Sequence, residues 1–211
     1  MRFPSRLLAL GLAGLLSALA AYLGVSYVRG ARHDKAIAAH ADEIFRSPAS
    51  FVAGNPAFFD YNCPYCRAGA PDLERLLSED GKVRLVLKEL PVLGPQSEDV
   101  ARIAQAAIAQ NKYLELHERL LAERSRVSKE DALRIASELG LDAAKLEVDM
   151  HSAGVEQAIA ANKRLADRLG VEGVPFYLVG DRPLPGADEN LYAVLSAGVS
   201  DVRQHGCIVK C

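Results

Sequence analysis

Phe58-Phe59-Asp60-Tyr61-Asn62-Cys63-Pro64-Tyr65-Cys66-Arg67 is the stretch on which the fold turns. Adjacent aromatics followed by Tyr61 suit a strand, and a short apolar run of this kind suits a strand buried on both faces. Pro64 then sits where proline is best tolerated in a helix, the first turn. Cys63 is therefore expected to open a helix directly after a strand. Two thiols two residues apart at such a junction make a redox device or half of a zinc site.

Upstream, Phe51 to Pro56 reads as a loop, so the strand is expected to run from Ala57 to Tyr61 and to be short on its N-terminal side. Downstream, Leu73, Leu76 and Leu77 give the new helix its buried face, and Gly81 stops it. Lys82 to Leu90 reads as a second, mostly buried strand. A single helical crossover makes the two strands parallel. A run of helices follows, over about 97–169. Val100, Ile103, Ala104 and Ala107 hold helical spacing, Ser128 and Asp131 form a capping box, and Asp142 and Ser152 begin further helices. Val174-Pro175 opens a third strand, since proline can begin a strand but not sit inside a central one. A Gly-Asp turn leads to a returning strand at Pro183-Leu184, and Asp188 is expected to cap a last helix. The order describes an α/β protein, a thioredoxin-like fold with a helical subdomain inserted after its first β-α-β unit.

The N-terminus carries a different message. Arg2 and Arg6 precede an apolar run from Leu7 to Val28, and Arg29 and Arg32 follow it. This is the pattern of an export signal or an uncleaved membrane anchor over 1–29. Ala18-Leu19-Ala20 offers a cleavage site. Residues 30–50 read as a helical spacer, or an oligomerisation segment, in which Ile37, Ala41, Ile44 and Phe45 fall near helical spacing. The domain proper is expected over 51–200 and a cysteine-containing tail over 201–211. Export places the domain outside the cytoplasm, where disulfides persist. The chain has 211 residues and a formal net charge of -2, which gives nucleic acid no basic face to bind.

The dithiol has a physical logic. A thiol at a helix start meets unsatisfied backbone N–H groups and the positive end of the helix dipole, both of which favour thiolate. Cys63 is expected to be the exposed nucleophile and Cys66, one turn inward, the resolving thiol. Pro64 and Tyr65 put no histidine between the sulfurs, which predicts a milder redox poise than a histidine-containing motif gives. A cis bond at Val174-Pro175 would let its backbone lie beside the sulfurs and pair with an extended substrate. The alternative there is a plain strand-start proline. Cys207 and Cys211, with His205 nearby, read as an oxidised or inert tail pair, or as soft ligands for zinc or copper. His33, His40, His117 and His151 read as surface residues, and Lys88-Glu89 as either a charge placed near the buried thiol or a solvated strand end.

Phe58 to Cys66, Lys88-Glu89-Leu90-Pro91-Val92-Leu93-Gly94-Pro95 and Gly173-Val174-Pro175-Phe176 together resemble the DsbA-like family of bacterial envelope thiol–disulfide oxidoreductases, and within it the ScsC-type branch. The resemblance spans roughly 52–197. It implies that Cys63 is the nucleophile, Cys66 the resolving thiol, Val174 and Pro175 the substrate-binding cis-proline pair, and Cys63-Cys66 a redox-active disulfide. It implies protein thiols and disulfides as substrates, an envelope redox partner and no organic cofactor. Inner-membrane attachment applies if the leader is kept, and a homo-oligomer if the N-terminal extension associates. The direction of exchange (oxidase, isomerase or reductase) stays open. A glutathione-dependent, glutaredoxin-like reductase and a non-catalytic metal-binding envelope protein are the alternatives.

Overall fold

A computed structural model describes residues 17–28, 31–32, 35–39, 55–184, 186 and 188–207. Its elements are β1 (Asn55–Phe59), α1 (Pro64–Asp80), β2 (Leu85–Glu89), α2 (Pro95–Ala106), α3 (Tyr113–Ala122), α4 (Lys129–Glu138), α5 (Ala143–Asp149), α6 (Ala153–Leu169), β3 (Phe176–Val179), β4 (Arg182–Leu184) and α7 (Leu191–His205). A short 3₁₀ turn, Ala107–Gln110, joins α2 to α3. The sheet order is β2-β1-β3-β4. β1 runs parallel to β2, as the single crossover requires, while β3 is antiparallel to both β1 and β4. This is a thioredoxin-like α/β fold with helices α2 to α6 inserted between β2 and β3.

Alternation along the strands sends side chains to both faces of the sheet. Ala57, Phe59, Tyr177 and Val179 join one core with α1, α7 and the inserted helices. Phe58 and Leu178 join a second core with Leu165, Ala166 and Leu169 of α6. Ile37, from the helical residues 35–39, is fully buried in that second core. The spacer expected over 30–50 thus touches the domain at Ile37, whereas Ala41, Ile44 and Phe45 lie outside the described residues.

Several boundaries differ from the sequence reading. Asn55 and Pro56 belong to β1, opposite Leu85 and Val86 of β2. β3 pairs with β1 at Ala57 and Phe58. Pro56 therefore lies next to one partner strand, where a missing N–H is tolerated. Asp60 and Tyr61 fall outside the strand, in the turn that leads to Cys63. Helix α7 starts after Asn190, and Asp188 instead accepts the Asn190 N–H at 2.8 Å. The same helix continues to His205, past residue 200. The caps at Ser128, Asp142 and Ser152 are as read, and Gly81 ends α1 in the left-handed region at φ 62°.

Residues 17–28 are helical and exposed. Among the described residues, no helix is long and apolar enough to cross a membrane. The first part of the apolar run, through residue 16, lies outside the described residues.

Candidate active site

The end of β1, the start of α1 and the start of β3 meet at the dithiol. Cys63 is the N-cap of α1, with extended backbone at φ -79° and ψ 120°. Its N–H donates to the Asp60 carbonyl at 3.0 Å, closing a four-residue turn. Its Sγ accepts the Cys66 backbone N–H at 3.4 Å, so the sulfur takes the place of a capping oxygen. On the other side, Sγ lies 3.4 Å from the Val174 carbonyl oxygen, to which the thiol donates. The Val174–Pro175 peptide bond is cis. Pro64 and Tyr65 are exposed, Tyr65 at 60%.

The expectation of an exposed Cys63 needs correcting. Cys63 is 4% exposed and Cys66 3%. The Val174 carbonyl lies on one side of Cys63 Sγ and the Cys66 N–H on another. Both cysteines are free thiols. The Cys66 thiol donating to Cys63, together with the helix-terminal N–H groups of Cys66 and Tyr65, holds the Cys63 thiol down to about 6 against the opposing effect of burial. The same sulfur–sulfur hydrogen bond, followed by burial, pushes Cys66 well above the ordinary thiol range. The two identical side chains are thereby set apart, one thiol lowered and the other raised.

Sequence reasoning missed the residues that frame this pair. Asp60 is 2% exposed. Its Oδ1 accepts the Asn62 N–H at 2.7 Å, and its Oδ2 accepts those of Val92 and Leu93 at 2.9 and 3.0 Å. Asn62 forms a two-way amide pair with Val127, donating to its carbonyl at 3.0 Å and accepting its N–H at 2.7 Å. Arg67 donates to Tyr61 O, Ser125 O and Asn62 Oδ1. These three side chains pin the β2–α2 loop and the α3–α4 loop against the dithiol turn. Tyr177 is a buried phenol on the strand that follows Pro175, raised above its usual range by burial and then by the nearby Cys66 and Cys63. The signal available in the sequence was the polar triplet Asp60, Asn62, Arg67 in an otherwise apolar junction.

Lys88-Glu89 is not a solvated strand end. Lys88 is 6% exposed and Glu89 fully buried. Glu89 accepts from Tyr113 OH at 2.5 Å and Gln105 Nε2 at 2.6 Å, and its carbonyl accepts from Asn162 at 3.1 Å. His117 is likewise buried, not on the surface. It hydrogen-bonds Tyr61 OH at 3.1 Å and lies among Phe59, Tyr61 and Tyr113. His151 is exposed, and His33 and His40 lie outside the described residues. Cys207 is disulfide-bonded, so its sulfur is no thiolate ligand, and it packs against Gly180 at the β3–β4 turn. Cys211 lies outside the described residues. Among the described residues no cluster of three His, Cys, Asp or Glu side chains is arranged to hold a metal.

A family model for the DSBA-like thioredoxin domain matches residues 56–191, from β1 to the first residue of α7. The chain belongs to the DSBA-like thioredoxin domain family. The match covers the dithiol turn, the cis-proline and every inserted helix of this family member. A thioredoxin-like oxidoreductase from Silicibacter pomeroyi DSS-3 is 37% identical, with 77% of this chain and 97% of that one covered at a TM-score of 0.72. A linker-deletion mutant of Proteus mirabilis ScsC shares the fold at 23% identity, with 94% and 95% coverage and a TM-score of 0.74. The Na(+)/H(+) antiporter NhaA 3 of Salinispora tropica is 32% identical over 127 residues, which is 59% of this chain and 20% of the antiporter. The chain thus spans about a fifth of the length of the curated relatives it matches. Membership in the family and the paired cysteines make the chain a thiol–disulfide exchange fold.

Proposed function

We propose that the protein is a thiol–disulfide oxidoreductase that exchanges disulfides with protein substrates in the bacterial envelope. One observation carries the reading. Cys63 Sγ sits at the start of α1, accepts the Cys66 N–H, and faces the carbonyl that precedes cis-Pro175.

In the reducing direction, the Cys63 thiolate attacks one sulfur of a substrate disulfide. A new S–S bond forms, the substrate bond breaks, and the electron pair leaves on a substrate thiolate. Cys66 then gives up its proton and attacks Cys63 Sγ. The Cys63–Cys66 disulfide forms and the second substrate thiolate departs, so two electrons have passed to the substrate. Run backwards from the disulfide form, the same steps oxidise a substrate dithiol. An extended substrate beside the sulfurs can pair its backbone with Val174, in the manner of an added strand. The charged and apolar pattern of the N-terminus supports the envelope assignment.

The test compares oxidation of reduced ribonuclease with reshuffling of scrambled ribonuclease, for the wild type and Cys63→Ser. The wild type accelerates at least one of the two, and which one is faster gives the direction. The variant falls to the uncatalysed rate in both. A variant as active as the wild type in both assays contradicts the reading.

A further inference from the structure

The mechanism above uses the two sulfurs and the cis-proline backbone but leaves a buried acid unexplained. Asp60 and Cys63 are the two ends of one tight turn, joined by the Cys63 N–H to Asp60 carbonyl bond at 3.0 Å. The Asp60 side chain points at three backbone N–H donors, those of Asn62, Val92 and Leu93. Every one of those partners is a donor. That environment suits a carboxylate, which only accepts, and suits an amide poorly, since its NH₂ would face an N–H.

We propose that Asp60 is a redox-tuning residue, a carboxylate held by three N–H donors at the base of the dithiol turn that biases the dithiol towards its disulfide. The inference rests on the thiol–disulfide reading and deepens it. The field of the α1 N-terminus and the Cys66 hydrogen bond favour thiolate, and the Asp60 carboxylate acts against them on both sulfurs. The charged and titratable groups around Asp60 fit this role. From α1, the Arg67 guanidinium feels both Asp60 and Cys63, but its hydrogen bonds are spent on Tyr61 O, Ser125 O and Asn62 Oδ1. From the α3–α4 loop, Arg126 donates to the Leu93 carbonyl, in the peptide that follows the two whose N–H groups Asp60 holds. The carboxylate also has a second duty. By holding the Val92 and Leu93 amides, it fixes two apolar side chains that are 52% and 39% exposed in the loop it pins to the dithiol turn.

The two duties separate by substitution. Asp60→Asn and Asp60→Ser remove the charge with different packing, while Asp60→Glu keeps it. Two readouts report the thiolate: the pH dependence of Cys63 alkylation, and the equilibrium with glutathione. In that equilibrium one glutathione disulfide takes two electrons and two protons from the dithiol, giving two glutathione molecules and the Cys63–Cys66 disulfide. In Asp60→Asn and Asp60→Ser the alkylation midpoint moves below the wild-type value by about half a unit to one unit. The equilibrium constant for disulfide formation falls roughly three- to tenfold with it. Asp60→Glu stays within about twofold of the wild type in both. The proposal is overturned if a folded uncharged variant leaves the midpoint unchanged or raises it, or if Asp60→Glu shifts as the uncharged variants do. Should neither uncharged variant fold, the Glu variant alone still decides, because a field effect keeps its midpoint and a packing effect does not. These measurements need no protein substrate, so a protein inert towards ribonuclease can still show the shifts, and an active one can lack them.

Discussion

At the scale of single residues, burial decides chemistry that sequence position leaves open. His117 carries no motif and sits in a helix with mixed charge, so nothing in the sequence marks it as internal. The fold places it among three aromatic rings, and burial holds its ring down to about 3. The sign of the consequence is fixed by linkage. Below about pH 6.5 the unfolded chain takes up a proton at this position and the native state does not. The native state therefore loses stability as pH falls from that value, by about 1.4 kcal/mol per unit, or ~2 kcal/mol by pH 5. Glu89 works in the opposite direction. Burial raises its carboxyl, so its contribution is fully present below the unfolded value and lost as pH rises through the folded one. Because Glu89 is common to both proteins, comparing the wild type with His117→Gln isolates the histidine. Urea unfolding at pH 7 and pH 5 is expected to show a drop for the wild type that is larger than the variant's by ~2 kcal/mol. Equal drops would mean that His117 is accessible to protons in the native state. The Cys63 and Cys66 pair, by contrast, was legible as a dithiol at a helix start, because that depends on local spacing, while its burial and its Val174 contact were not.

At the scale of elements, what the sequence conveyed well was periodicity and capping. The Ser128–Asp131 capping box, the left-handed stop at Gly81 and the parallel β1–β2 pairing all follow from neighbours within a few residues or from one crossover. What it did not convey were contacts between distant segments. Asn62 reads as a polar residue in a turn, yet its amide serves as a one-residue strand for Val127, which is 65 positions away and 1% exposed. Pro71 stands inside α1, where it removes one helical N–H, and the helix continues regardless because Leu76 and its neighbours bury a face against the core. Gly69 shows the same dependence on tertiary structure. A Cβ there would meet Leu191 of α7 at 2.6 Å, so the glycine sets how closely α7 approaches α1. Asn62→Ala orphans both backbone groups of Val127 and is expected to cost about 2 kcal/mol of stability. Hydrogen exchange at the Val127 amide should quicken while amides in β1 and β3 keep their protection. A variant with wild-type stability and an unchanged Val127 amide would show that the α3–α4 loop is held by other means.

At the scale of the whole molecule, the architecture follows from one sheet covered on both faces. Phe58 and Leu178 look towards α6, and Ala57, Phe59 and Tyr177 towards α1 and the insert. The parallel β1–β2 pair and the β3–β4 hairpin were readable because each such connection allows few arrangements. The start of β1 was not, because whether Asn55-Pro56 extends a strand depends on which neighbours flank it. The sheet brings the first turn of α1 and the start of β3 together from positions 111 residues apart, and that meeting makes the site. In the proposed reaction Cys63 forms the covalent link to substrate and Cys66 resolves it. Incubating Cys66→Ser with scrambled ribonuclease and measuring intact mass tests it directly. A mixed disulfide attached at Cys63, released by dithiothreitol and absent from Cys63→Ser, is the expected result. No adduct with Cys66→Ser, or an adduct that persists in Cys63→Ser, would contradict it.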